Sequence, residues 1–294
     1  MSLFDALQNL EKETSTRGRD KECARAPFGW QGGKSRSLDK ILPHLPYRTS
    51  YIEVFGGSGA VLLTRRESSL EVYNDKYSGL TCFYRCIRDP KTIDELLARL
   101  ELVIHSREEF VWCRDTWDKV EDPVERAARW YYMIQTSFAT KGVAWARASY
   151  SRGQIGQKLQ NNLKLFWPIH QRLKNVQVEN QDWRKLVEDY DHADAVFYMD
   201  PPYLDTTNSS YAFEMPEKDH AELLDVVFKM KGYVAVSGYG HPLYMKQDWS
   251  HVYSWTANVT TIAKAYREEN HQEHREHDVG SRQATEYLFI KDSK

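Results

Sequence analysis

Two short motifs carry the chemistry of this sequence. The apolar run Ala195-Val196-Phe197-Tyr198-Met199 leads directly into Asp200-Pro201-Pro202-Tyr203. Two prolines stop a strand ladder and stiffen the turn. They hold the Asp carboxylate and the adjoining carbonyls at the carboxyl edge of the strand, where open α/β sheets bind ligands. A carboxylate and a carbonyl that accept both protons of a ring amino group make its nitrogen more tetrahedral and turn its lone pair toward an electrophile. Asp200 and the Pro201 carbonyl suit that task, Pro202 stiffens the turn, and Tyr203 can stack on a flat base such as adenine. The alternative reading is a rigid turn with an exposed Asp.

The second motif runs from Tyr51-Ile52-Glu53-Val54 into Phe55-Gly56-Gly57-Ser58-Gly59, with a helical apolar pattern from Ala60. Glycines between a strand and a helix let the backbone approach a bound cofactor closely. Asp75 ends the next apolar run about 20 residues later, where an acid can hold ribose hydroxyls. Nothing in the motif demands a phosphate, so an adenosyl ligand fits as well as a dinucleotide. Gly32-Gly33-Lys34-Ser35 is not a nucleotide P-loop, because Phe28 stands where that motif needs glycine and no strand precedes it. Lys34 reads instead as a cation for a carboxylate, with Trp30 as an apolar wall.

Strands are expected at Tyr51-Val54, Leu70-Tyr73, Val176-Val178, Ala195-Met199, Tyr233-Val236, Val252-Trp255 and Glu286-Ile290, mostly separated by helical patterns. That alternation predicts a mostly parallel sheet covered on both faces, since parallel strands need crossover connections. Between the second and third strands a long helical insertion interrupts it. Ile93, Leu96, Leu97, Leu100 and Ile104 recur at helical spacing, and Asp122-Pro123-Val124-Glu125 is a helix start with an Asp cap and Pro in the first turn. From Thr136 to Gly156 the helical pattern breaks into a hairpin or loop that mixes Phe138, Trp145 and Tyr150 with Lys141, Arg147 and Arg152. Cations for phosphates or guanine edges, beside rings that stack on bases, suit a nucleic-acid contact.

The chain has 294 residues, 41% hydrophobic and 28% charged, which places it among globular proteins. Its net charge of −2 excludes a histone-like binder, yet no acid occurs between Glu125 and Glu179 while nine Lys and Arg do. Such segregation suits a protein that meets a polyanion on one side. No run approaches the roughly 20 apolar residues of a membrane span and no signal-peptide layout is present, so a cytoplasmic protein is expected. The four cysteines lack CxxC spacing and read as structural thiols. His271, His274 and His277, set among acids, read as a solvated loop and not as a metal site.

Trp30-Gln31-Gly32-Gly33-Lys34, Phe55-Gly56-Gly57-Ser58-Gly59, Asp75 and Asp200-Pro201-Pro202-Tyr203, in that order, resemble the Dam-like, α-class DNA adenine-N6 methyltransferases. The resemblance spans Ala26 to the last strand. It implies an α/β, Rossmann-like S-adenosylmethionine-dependent methyltransferase sheet with a helical target-recognition insertion and an antiparallel last strand inserted in the sheet. The implied layout is an N-terminal extension at 1–24, a catalytic domain at 25–89 and 176–294, and a recognition insertion at 90–175. It further implies that Trp30, Lys34, Glu53, Phe55, Gly57 and Gly59 enclose the methionine half of the cofactor. Asp75 then binds the ribose, Asp182 contacts the cofactor adenine, and Asp200 to Tyr203 act on a flipped adenine in double-stranded DNA. No obligate protein partner is implied. Where members that read GATC carry Asn-Gly-Leu-x-Arg, this chain runs Phe138-Ala139-Thr140-Lys141-Gly142-Val143-Ala144-Trp145, so the resemblance does not extend to that recognition sequence. The competing readings are a methyltransferase acting on RNA or a protein amide, and a catalytically silent DNA-binding module.

Overall fold

The computed structural model describes residues 24–146, 155–204, 215–259 and 282–292. Seven strands form one sheet: β1 (Ser50–Glu53), β2 (Leu70–Asn74), β3 (Val176–Glu179), β4 (Ala195–Met199), β5 (Tyr233–Tyr239), β6 (His251–Val259) and β7 (Arg282–Lys291). Their order is β3-β2-β1-β4-β5-β7-β6. The first five run parallel, and β7 inserts antiparallel between β5 and β6. The methyltransferase-type sheet anticipated from the sequence is therefore present, including the inserted last strand. β5, β6 and β7 run longer than their apolar cores, because the antiparallel ladder continues past the residues that the helices cover.

Side chains alternate between two layers, as the period of a strand requires. Tyr51, Val196, Tyr198 and Ala235 face one core, while Ile52, Ala195, Phe197, Met199 and Val234 face the other. Every residue of β4 is buried, which explains its unbroken apolar run. Edge strand β3 instead buries Val176 and Val178 and exposes Gln177.

The helices, in chain order, are α1 (Leu38–Ile41), α2 (Ala60–Thr64), α3 (Ser78–Arg88), α4 (Ile93–Glu101), α5 (Arg107–Thr116), α6 (Pro123–Thr136), α7 (Ile155–Leu163), α8 (Phe166–Leu173), α9 (Trp183–Tyr190), α10 (Glu217–Val227) and α11 (Pro242–Met245). The expected start of α6 is realised, since Asp122 accepts the Val124 N–H at 3.1 Å. Ile104 does not extend α4 as its spacing suggested. That helix ends at Glu101, leaving Ile104 exposed, and Ser106 then caps α5 by accepting from Glu109 N at 3.0 Å. Gly156 likewise falls inside α7 and not in the preceding loop. The hairpin reading holds from Ser137 to Trp145, which pair across an antiparallel bridge. Tyr150, Arg147 and Arg152, the His271–His277 run and the N-terminal extension up to residue 23 lie outside the described residues. No helix among the described residues is long and apolar enough to cross a membrane.

The insertion does not stand apart from the sheet. Trp130 and Tyr131 of α6 and Phe166 of α8 share one core with Phe28, Phe83 and Tyr84, their rings meeting mostly edge to face with centroids about 5–6 Å apart. Helices α3 and α6 meet at Gly79, where an added Cβ would lie 2.4 Å from Trp130 Nε1. Gly79→Ala should therefore cost about 1–3 kcal/mol by overpacking, read as a lower midpoint in denaturant unfolding. An unchanged midpoint would mean that this helix contact is looser than described.

Candidate active site

The cleft lies at the carboxyl ends of β1, β2 and β4, closed on one side by the loop from Trp30 to Lys34. After β1 the chain turns through glycines because nothing larger fits. Gly57 and Gly59 have φ of +51° and +65°, in the left-handed region that side chains disfavour. A Cβ on Gly56 would lie 2.3 Å from the Tyr73 ring, and one on Gly57 2.9 Å from Trp30. Tyr73 Oη donates to the Gly57 carbonyl at 2.6 Å, Tyr84 Oη donates to Ser58 O at 2.6 Å, and Gly56 N donates to Asn74 O at 2.7 Å. The loop is thus pinned from behind and leaves an open cradle in front.

Asp75 leaves β2 and accepts Gly57 N at 2.9 Å and Tyr77 N at 2.8 Å, one on each carboxylate oxygen. Burial raises its pKa to about 6 against those two bonds. Its neighbour Asn74, which sequence reading passed over, ties three strand ends together. Asn74 Nδ2 donates to Val54 O at 2.8 Å and to Gln181 O at 3.3 Å, and its Oδ1 accepts Gln181 N at 2.8 Å.

Glu53 is buried at the base of the cleft, where Tyr51 Oη donates to its Oε2 at 2.8 Å. Burial is the main cause that pushes its pKa up to about 8, which favours the neutral form at pH 7. Lys34, 4% exposed, donates from Nζ to Gly32 O at 2.6 Å and to Asp200 Oδ2 at 2.7 Å. The second oxygen, Asp200 Oδ1, is buried and makes no hydrogen bond of normal geometry, with the Tyr203 hydroxyl near the carboxylate. Burial raises the Asp200 pKa, and the charge of Lys34 opposes that shift. Tyr203 packs edge to face against Tyr239 at 4.6 Å, and Lys34 Nζ sits 4.9 Å from its ring centroid.

Trp30, Lys34, Glu53, Phe55, Gly57, Asp75 and Asp182 all line this cleft together with Asp200, Pro201, Pro202 and Tyr203, although they come from distant parts of the chain. Gly59 stands behind the wall, at the N-terminus of α2. Asp182 sits at the rim and caps α9 through Arg184 N at 3.1 Å while pairing with Lys76 at 3.2 Å. Tyr77, Tyr198, Trp183 and Met215 also line the cleft. Tyr77, Tyr198 and Trp183 were signalled only by closeness in sequence to Asp75, Asp200 and Asp182, and Met215 carried no advance signal.

The acid-free segment is less uniform in space than in sequence. Arg172 is buried against Glu71, Arg129 pairs with Glu125 at 2.7 Å, and Arg126 donates to Ser78 Oγ at 2.8 Å. Lys158, Lys164 and Lys174 are exposed, and Lys141 is half-buried in the hairpin turn. Ala139 and Thr140 in that turn carry φ of 53° and 55°, a strained arrangement for non-glycine residues. Thr140 lies against Gly29, next to Trp30 in the cleft wall.

A buried acid whose folded pKa is raised stabilises the fold fully below its unfolded pKa, and that contribution is lost as pH rises through the folded value. Glu53 should therefore make the ligand-free protein less stable as pH climbs from the ordinary glutamate value of 4.5 to about 8. Glu53→Gln should flatten that decline in denaturant unfolding followed across pH. Parallel curves for the two proteins would show that Glu53 is ionised throughout.

Comparison with known proteins gives a consistent result. Residues 30–278 match the model of the D12 class N6 adenine-specific DNA methyltransferases. Over 202 residues the chain is 30% identical to the Type II methyltransferase M.MjaIII of Methanocaldococcus jannaschii, covering 59% of this chain and 67% of the relative. It is 23% identical over 201 residues to the Type II methyltransferase M.CviBI of Paramecium bursaria Chlorella virus NC1A, covering 66% of this chain and 75% of that protein. With the family match running through the glycine cradle, the hairpin and the Asp200 turn, the chain belongs to the D12 class of N6 adenine-specific DNA methyltransferases.

Proposed function

We propose that S-adenosylmethionine is the methyl donor, that it lies in the glycine cradle, and that the Asp200 turn receives an adenine flipped out of duplex DNA. The observation that carries this reading is the pair of unequal oxygens on Asp200: Oδ2 is held by Lys34 at 2.7 Å, and Oδ1 is buried beside the cradle without a hydrogen bond of normal geometry. When bound, the cofactor supplies a methyl group on a sulfonium sulfur and leaves as a neutral thioether.

The residues of the cleft do the rest. The Gly56-Gly57 backbone admits a ligand where a Cβ would collide with Tyr73 or Trp30, which supports a close-fitting adenosyl compound. Asp75, with each oxygen already bonded to one backbone N–H, keeps lone pairs for ribose hydroxyls. Glu53 shifts toward its ionised form beside the cofactor's cationic groups. Asp182 at the rim faces the adenine end. In the second half of the cleft, Asp200 Oδ1 and the Pro201 carbonyl accept the two amino protons, and Tyr203 stacks on the base. With the cofactor's electrophilic methyl group in place, Asp200 Oδ1 is positioned to take the proton that the amino nitrogen gives up. The charge of Lys34 favours the carboxylate form of Asp200 against the effect of burial.

The hairpin around Lys141, strained and set against the cleft wall, is the segment we assign to target recognition within the 90–175 insertion. The order of motifs fits the α-class arrangement, and the family match together with the Type II methyltransferase relatives supports a modification enzyme acting on DNA. The Asp200 turn by itself would also suit an RNA base or a protein amide; the family match favours DNA adenine over them.

Asp200→Ala should abolish formation of N6-methyladenine, measured by mass spectrometry of nucleosides, while cofactor affinity by calorimetry stays near wild type. Asp200→Asn should keep partial activity through its amide oxygen. Full turnover by the Ala variant would refute the assignment of the turn. Lys141→Ala should weaken binding to every duplex and lower the salt slope by about 0.9 if it meets one phosphate. Binding indistinguishable from wild type over several salt concentrations would remove this turn from the DNA surface.

A further inference from the structure

His220, in the first turn of α10, is the one buried imidazole next to the catalytic turn among the described residues, and the chemistry above leaves it without a task. It is 1% exposed. Its Nδ1 lies 2.7 Å from Tyr244 Oη, and its Nε2 is buried without a hydrogen-bond partner at normal distance. The ring shares a small cavity with Pro201, Tyr203 and Leu204, on the side of the turn away from the main cleft. The carbonyls of Pro202 and Met215 border it.

Burial lowers the His220 pKa to about 4, so the ring is neutral at physiological pH and has one donor and one acceptor nitrogen. A tyrosine hydroxyl is a good donor, and when it gives its proton to Nδ1 the ring hydrogen must sit on Nε2. That nitrogen is the one left to meet the Pro202 carbonyl. Proline φ is locked, so the orientation of the Pro202 carbonyl sets the remaining freedom of this residue and with it the placing of the Tyr203 ring and the Pro201 carbonyl.

We propose that His220 is a positioning residue for methyl transfer: Tyr244 selects the Nε2–H tautomer, and Nε2–H holds the Pro202 carbonyl from behind so that Pro201 and Tyr203 face the target base. The bond tightens when the base enters, as catalytic hydrogen bonds often do. The inference rests on the assignment of Asp200 to Tyr203 as the base pocket.

The test is kcat with saturating duplex, alongside the cofactor dissociation constant, for His220→Leu, His220→Gln, Tyr244→Phe, the Gln and Phe changes combined, and Asp200→Ala. His220→Leu should lower kcat by about tenfold or more with cofactor affinity unchanged within about twofold. His220→Gln, whose amide nitrogen reaches the Nε2 position, should recover most of the loss. Tyr244→Phe should slow the wild-type enzyme and have no effect in the Gln background, because an amide has no tautomer to select. Should the Leu variant fail to fold, His220→Asn, which keeps polarity but reaches only the Nδ1 position, takes its place. Wild-type kcat in the Leu variant, a Gln variant no better than Leu, or loss of cofactor affinity in step with kcat would each overturn the proposal. An active Asp200→Ala would overturn the base-pocket assignment itself. An inactive Asp200→Ala beside a fully active His220→Leu would overturn the His220 inference alone.

Discussion

The ion pair between Lys34 and Asp200 is the contact on which the rest of the site depends. It joins the loop before β1 to the end of β4, 166 positions later, and both partners are largely removed from water. Removing one member of such a buried pair strands a charge, a loss of about 3–5 kcal/mol, so the loop and the strand end are bound to each other. Lys34 reaches Asp200 only because the chain reverses at Gly32, with φ of +72°, and closes a turn in which Gly33 N donates to Trp30 O at 3.0 Å. The same turn puts Trp30 against Gly57. One electrostatic contact thus joins the Trp30–Lys34 wall of the cleft to the end of β4.

Behind that wall stands the insertion. Gln135 Nε2 and Tyr131 Oη of α6 both donate to Pro27 O, at 2.6 and 3.1 Å, while Phe28 packs on Trp130 at 5.4 Å and Thr140 abuts Gly29. The helix that leads into the hairpin therefore also holds the segment that carries Trp30 and Lys34. A force on the hairpin has a short path through packed rings and buried hydrogen bonds to the cleft.

The charge pattern of the insertion shows how composition and location part company. Nine cations without an acid read as a single basic face, but acids from elsewhere in the chain reach some of them. Glu71 of β2 takes Arg172, and Glu125, at the boundary of the acid-free run, takes Arg129. Arg172 and Arg65 together neutralise one buried carboxylate beneath the sheet. Among the described residues of this run, the exposed cations are Lys158, Lys164 and Lys174, whose long stems keep their charge in water.

The sequence alone determined what is local and periodic. An unbroken apolar run implies a strand buried on both faces, two prolines imply its end, and glycines before a helix imply a close backbone approach, since each follows from the steric limits of neighbouring residues. That sufficed for the mostly parallel sheet, the Asp122 cap and the two chemical motifs, while the antiparallel insertion of the last strand was implied only by the family resemblance. Tertiary structure decided which residues meet. That Lys34 would find Asp200, that Asn74 would bind three strand ends, that Arg172 would be spent on Glu71, and that His220 would lie behind the Asp200 turn depend on strand order and helix packing. Those pairings bring together groups as far as 166 residues apart, and spacing along a chain carries no information about a distance closed only when the sheet assembles.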